Sequence, residues 1–511
     1  MKWRTIRALV VLGFGLTASA MAATSSPLAD AMEKRDQAGV RTLLMSGSGV
    51  NAAQPDGTTA LHWAAYHDDT ETAALLLKAG ADVNIVNRYG MSSLAQACKN
   101  GSAAMVKMLL EAGADINLTL KGGETMLMLA SRSGNAEAVQ MLLGRRANPN
   151  ARERLGQTAL MWAAAEGHTA IVRALIAAGA DKNAKTDSGF TPFFFAVREG
   201  RLDTVRAFLA AGADANAMMQ RPQDEAGPRP ATGGRTSPLL LAVQNGHFEL
   251  AIALIDAGAD PNDRRTGFTP LHLLPGVRKP DSSDGSDGAT PVGAGRLSSL
   301  EFVREIVKRG ANVNDRLPPG SPRMPATSSQ IATSGATPLL FAADRSDVPL
   351  MRLLLELGAA PLLPNVNNTT PLMAAAGVGT KEALEEAGEE NEALEAVAML
   401  LDRGGDVNGV DSNGDTAMHG AAANNYPRVV NLLANRGADP KVWSKPNKSG
   451  RTPLYIAEGY VGVELRPDPP TIAAVTKLML AAGLSLEGQR PAVVDQYRVV
   501  PAPPNATAPA K

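Results

Sequence analysis

From Gly57 the chain repeats itself with a period of 33 residues. The unit GTTALHWAAYHDDTETAALLLKAGADVNIVNRY closes at Tyr89, and its opening glycine returns at Gly90, Gly123, Gly156 and Gly189. A fixed period of this size constrains the fold more than any composition, because each unit is one small block that buries its apolar face only against its neighbours. Within the unit, Thr59 is placed to cap a first short helix by accepting from an exposed backbone N–H. Leu61, Ala64 and Ala65 make that helix's small apolar face, and His67-Asp68-Asp69 make a turn. Thr72 to Lys78 carry the leucines of a second helix. Gly80 ends it, since the residue after the last turn adopts a left-handed conformation that glycine takes without a Cβ clash. Asp82-Val83-Asn84 leads into a polar hairpin whose Asx side chains satisfy local backbone groups.

The pattern G-x-T-P-L-H-x-A-A … G-A-D-V-N resembles that of the ankyrin repeat. Thr269-Pro270-Leu271-His272 reproduces the tetrapeptide completely, whereas Thr59-Ala60-Leu61-His62 and Thr416-Ala417-Met418-His419 reproduce it in part. The resemblance implies an all-α ankyrin-repeat solenoid of helix–turn–helix–hairpin units. It also implies that His62, His272 and His419 hydrogen-bond backbone across adjacent hairpins.

Counting back 33 residues from Thr59-Ala60-Leu61 reaches Ser26-Pro27-Leu28, a helix start with proline at its favoured first position. This first unit carries Glu33, Lys34, Arg35 and Asp36, the polarity expected of a terminal cap. Second helices should exit at 47, 80, 113, 146, 179 and 212, then at Gly258, Gly310, Gly358, Gly404, Gly437 and Gly483, which makes about 12 units. Arg146 stands where glycine is expected, so that turn is predicted to rebuild around Gly144. The regular repeats run over 24–216 including the cap, and a loop-broken array over 217–488. Its inserted loops are 217–233, 275–295, 317–334 and the acidic 377–391, the last expected to lengthen a second helix. Residues 489–511, ending PAPPNATAPAK, read as a disordered tail.

Composition bounds the function. Fifty basic residues face 51 acidic ones, so no excess charge suits a phosphate backbone, and no nucleic-acid partner is expected. The single cysteine, Cys98, excludes an internal disulfide framework and fits a buried small hydrophobe. Lys2, Arg4 and Arg7 precede the apolar run Ala8 to Leu16 and the small-residue stretch Thr17 to Ala23. That is the layout of a Sec-type signal peptide over 1–22, predicting a bacterial periplasmic or secreted protein with no membrane insertion after cleavage. Cleavage removes three positive charges, moving the formal balance from −1 to −4.

The chemistry of an enzyme has no foothold in these residues. No nucleophile elbow, phosphate loop or metalloprotease helix occurs in a suitable context. His168 and His247 follow glycine at the start of second helices, and His67 sits in a single turn that cannot converge ligands on a metal. No cofactor and no metal are expected. Trp63 and Trp162 are expected in the core, as are Phe194 and Phe195.

What remains is surface. The resemblance implies a non-catalytic scaffold that holds another protein on a concave face made of hairpin tips and first-helix ends. Register places Arg88, Tyr89, Met91, Lys121, Arg154, Leu155, Asp187, Phe190, Arg265 and Phe268 at the tips. It places Tyr66, Lys99, Arg132, Glu166 and Arg198 at the first-helix ends. Tyrosine, phenylalanine, methionine and arginine are enriched at interface hot spots. Two other readings compete with this monomeric protein binder. One is a glycan or small-ligand binder stacking on Tyr89, Phe190 and Phe268, and the other is an enzyme whose site lies between inserted loops such as 275–295.

Overall fold

The computed structural model describes residues 26–220, 235–280, 290–324, 329–380, 388–459 and 467–486. The predicted signal peptide, the predicted tail and the middle of each inserted loop lie outside the described residues. Twenty-four of the helices pair into twelve units, from Pro27–Glu33 with Gln37–Met45 to Pro453–Ala457 with Pro469–Ala481. The short helix Pro440–Trp443, which the repeat pattern does not announce, is additional and buries Trp443. Among the described residues the only strands are Met219–Gln220 and Arg235–Thr236, an antiparallel pair at the base of an inserted loop.

Many of the helices start at a residue whose side chain accepts from one of the first backbone N–H groups. Ser92 accepts from Ala95, Thr191 from Phe194, and Asp69 from Thr72. Thr59 opens a capping box with His62: its own N–H donates to His62 Nδ1 at 3.2 Å, and its hydroxyl lies 2.8 Å from the same nitrogen. First helices are short and alanine-rich, and Leu61, Ala64, Ala65, Leu94, Ala95, Ala97 and Cys98 are all fully buried between neighbours. Small side chains let the helices stack closely, and each buried leucine contributes about 2 kcal/mol of apolar transfer.

All twelve expected exits have positive φ, including Arg146 at 65°. The turn is therefore not rebuilt around Gly144, which stays in the helix Ala136–Gly144. Ala147 N–H reaches Leu142 O at 3.1 Å, as Ala81 N–H reaches Leu76 O at 3.0 Å, so stacking register overrides the side chain's preference. The hairpin asparagines act between repeats as well as locally. Asn84 donates to Gly113 O and accepts from Asp115 N–H, and Asn150 does the same to Gly179 and Asp181. At the Arg146 exit, Asn117 turns to Asp115 instead.

The described residues form two compact units. One comprises the residues up to Ala163 with His168–Asp181; the other comprises Ala164–Gly167 with the residues from Lys182 onward. In the second unit the inserted loops are tied down. The helix Pro270–Arg278 carries Pro275 inside it, so residues 275–278 belong to the helix, not to the loop predicted to begin there. Arg278 meets the fully buried Asp347 at 2.6 Å. The finger around 329–335 lies along the first helices Pro338–Asp344 and Pro371–Ala376. Ser329 Oγ donates to Asp344 at 2.9 Å, Gln330 N–H donates to Gly379 O at 2.8 Å, and Ile331 is buried. The helix Glu390–Leu401 is 12 residues long where most second helices have nine, so Glu390 and Asn391 do extend it.

Candidate protein-binding face

In the first unit a single side chain organises the turn at two of the hairpin tips. Asn87 Oδ1 accepts from both Tyr89 and Met91 N–H at 3.0 Å, and Gly90 takes positive φ. Glu153 does the same work two repeats further on, accepting from Leu155 and Gln157 N–H at 2.9 Å. Neighbouring tips are laced by Arg88 N–H to Asp56 O at 2.7 Å and Arg154 N–H to Gly122 O at 2.9 Å. With the backbone consumed in this way, Arg88, Tyr89, Lys121, Arg154 and Leu155 project into solvent.

The first-helix ends lie in the matching register. Tyr66 is 54% exposed and packs edge-on against Trp63, with ring centroids 5.5 Å apart. Trp63 and Trp162 are half-buried, not core. Their indole N–H groups donate to Gln54 at 2.8 Å and Gln157 at 2.7 Å, which holds the ring faces toward this surface. The sequence signal was Gln96, which occupies the same register position one repeat after Trp63. Arg132 lies over the Trp162 ring at 5.3 Å, Arg88 over Tyr89 at 4.9 Å, and Lys99 is exposed beside them. Tyr89 and Leu155 are 54% and 58% exposed. Met91 is half-buried, because it follows the left-handed glycine and turns inward.

In the second unit Glu166 and Asp187 are exposed, and Arg198 lies over Phe190 at 5.2 Å and Phe195 at 5.0 Å. Phe190 is half-buried; Phe194 and Phe195 are core. Arg265 is exposed but clamped, its guanidinium held by Asp263 at 2.8 Å and by Asn216 O at 2.9 Å. Phe268 corrects the sequence assignment. It is 3% exposed, since it shares Met91's inward register and Pro322 of the inserted finger packs on the adjacent Gly267. The stacking trio proposed for a glycan thereby loses one member.

Five of the six histidines are occupied structurally on both sides or across repeats, whereas His419 holds Thr416 through Nδ1 but its buried Nε2 meets no hydrogen-bond partner among the described residues. His62 Nε2 lies 2.9 Å from Met91 O, and burial lowers its pKa. His168 and His247 reach back to Arg132 O and Arg198 O at 3.1 and 2.9 Å. His67 accepts from Arg35 Nε at 3.1 Å and faces Glu33 O through its other nitrogen. Among the described residues no group of three His, Cys, Asp or Glu is arranged to hold a metal ion, and no helix is long and apolar enough to cross a membrane. A cavity of about 110 Å³ beside His419, lined by Asp415, Asn447 and Arg451, is well below the size of an ordinary ligand site.

Comparison with known families matches the one described as Ankyrin repeats (3 copies) over residues 28–119, 123–219 and 384–463, and the single Ankyrin repeat over 235–265. Together these cover more than half of the 511 residues. The chain is an ankyrin-repeat protein. No match was found among curated proteins. Ankyrin repeats mediate protein–protein interaction and are typically non-enzymatic scaffolds. The buried tetrapeptide histidines and left-handed exits are this repeat's structural skeleton, whereas the tips vary freely around it.

Proposed function

We propose that this ankyrin-repeat protein is an exported, monomeric, non-catalytic scaffold that binds another protein. Contact is made through the hairpin tips and first-helix ends of the first unit. The observation that carries the reading is the exposure of Tyr66, Tyr89 and Leu155, each more than half accessible, next to a row of basic side chains. Large, rigid aromatic groups beside arginines are the composition of interface anchors, not of ordinary solvated surface. The finger lying on the first helices around 338–344 and 371–376 favours the same assignment, since it covers the corresponding surface there.

Export is supported by the charged, apolar and small-residue blocks of residues 1–22, and cell fractionation with N-terminal sequencing of the mature protein tests it. For the contact face, capture of a crosslinked partner by the full chain is compared with capture by a Tyr66→Ala, Tyr89→Ala, Leu155→Ala triple variant. These side chains are already solvated, so the variant retains its helical circular dichroism. Loss of the partner is expected; undiminished capture by the folded variant would remove this face from consideration.

A further inference from the structure

The geometry points to an extended acidic segment of the partner protein, with carboxylates at about every third residue, as the occupant of the first unit's face. This rests on the protein-binding reading and adds the chemistry of the partner. Arg88, Lys121 and Arg154 hold one register position at three successive tips, and Lys99 and Arg132 hold one position at two successive first-helix ends. All five residues are exposed. Arg88, Lys99, Lys121 and Arg154 form no ion pair with a described residue.

The contrast with the second unit is sharp. There Arg264 meets Asp315 at 2.9 Å, Arg278 meets Asp347 at 2.6 Å, Arg304 meets Glu356 at 2.8 Å and Arg309 meets Asp256 at 2.7 Å. From the second repeat onward the corresponding register positions of the first unit's face hold one carboxylate, the half-buried Glu124, and before it the half-buried Asp56 of the preceding tip acts on Arg88. Glu153 nearby is committed to the backbone N–H groups of Leu155 and Gln157. Arg88, Lys99, Lys121 and Arg154, none of them ion-paired to a described residue although Asp56 acts on Arg88, raise the local positive potential and favour an anionic partner.

The row also has an end. In the first repeat, Asp30 and Glu33 take the register positions held next by Trp63 and Tyr66, and Gln54 donates to both carboxylates at 2.9 and 2.8 Å. An acidic segment is repelled there, so its contact begins at the second repeat. Spacing selects the segment's conformation. Packed helices lie about 10 Å apart. A polyproline II strand returns a side chain to the same side every third residue, after about 9 Å. Carboxylates three residues apart therefore meet successive tips, while Tyr66, Tyr89 and Leu155 cover the residues between them.

The test measures fluorescence polarisation of a labelled (Glu-Pro-Ala)4 peptide against the full chain. A (Lys-Pro-Ala)4 peptide and a twelve-nucleotide oligo(dT) serve as competitors. The glutamate peptide is expected to bind, and neither competitor to displace it at equal concentration. Arg88→Glu, Lys121→Glu, Arg154→Glu together should weaken binding about tenfold or more, as three lost surface ion pairs imply. Arg88→Lys with Arg154→Lys keeps the charge and should keep binding. No binding, binding insensitive to the reversal in a variant with unchanged circular dichroism, or displacement by the oligonucleotide would overturn the proposal. If partner capture depends on Tyr66, Tyr89 and Leu155 but ignores the charge reversal, the scaffold reading stands and the acidic partner falls.

Discussion

Protonation of His272 should cost this protein measurable stability in mild acid. The ring is fully buried, with Nδ1 2.7 Å from the Thr269 hydroxyl and Nε2 3.2 Å from both Asp315 O and Ala336 O. Two carbonyls facing Nε2 make it the protonated nitrogen of a neutral ring. Burial pushes the pKa down from 6.5 to about 4, and the nearby Arg264 guanidinium pushes it the same way. The folded pKa lies below the unfolded one, so between those values the unfolded chain binds a proton that the native chain does not. The stabilisation is thus complete above the unfolded pKa and is lost as pH falls toward about 4. Between about pH 7.5 and 4.5 the loss integrates to about 2–3 kcal/mol. Urea unfolding followed by circular dichroism at both pH values, for wild type and His272→Gln, isolates this contribution, because the carboxylates titrate in both proteins. The variant should lose about 2–3 kcal/mol less than wild type on acidification. Equal losses would refute the reasoning.

Three further outcomes follow from single residues. Asp347→Ala removes the carboxylate that caps Leu350 N–H and pairs with Arg278, whose side chain is only 18% exposed. About 3–4 kcal/mol of stability should be lost in a denaturant titration. Arg146→Gly relieves a left-handed arginine and should raise stability by up to about 1 kcal/mol, less whatever glycine adds to unfolded-chain entropy. The Cys98 thiol is pushed up to about 12 by burial. It should resist iodoacetamide in the native protein at neutral pH and react only in denaturant, as mass spectrometry of the alkylated chain would register.

Much of the fold was legible because the repeat writes its own punctuation. Eleven of the twelve exits could be counted from glycine positions, and the exception at Arg146 was visible from the period. Its resolution was not visible, since only the stacking of its neighbours decides whether a side chain tolerates positive φ. The helix Pro440–Trp443 escaped for a similar reason: four residues carry no period. At the contact face, exposed tips such as Tyr89 and Leu155 could be read from register. Residues one step past the left-handed glycine could not, so Met91, Phe190 and Phe268 sit deeper than a tip assignment implies. Trp63 and Trp162 erred the other way. Large aromatic rings suggest burial, but an indole whose N–H is held by a neighbouring glutamine can stay at the surface. The unmatched cations of the first unit needed coordinates, because overall charge balance conceals where the counter-charges lie.

The scaffold assignment is tested most directly by site-specific photo-crosslinking. A photoreactive amino acid is placed at Tyr89 or Leu155 on the proposed face, or at the exposed second-helix positions Lys107 or Gln140 as controls. The face predicts a discrete adduct with another protein from Tyr89 and Leu155 and none from Lys107 or Gln140. Adducts formed only from the second-helix positions would contradict it.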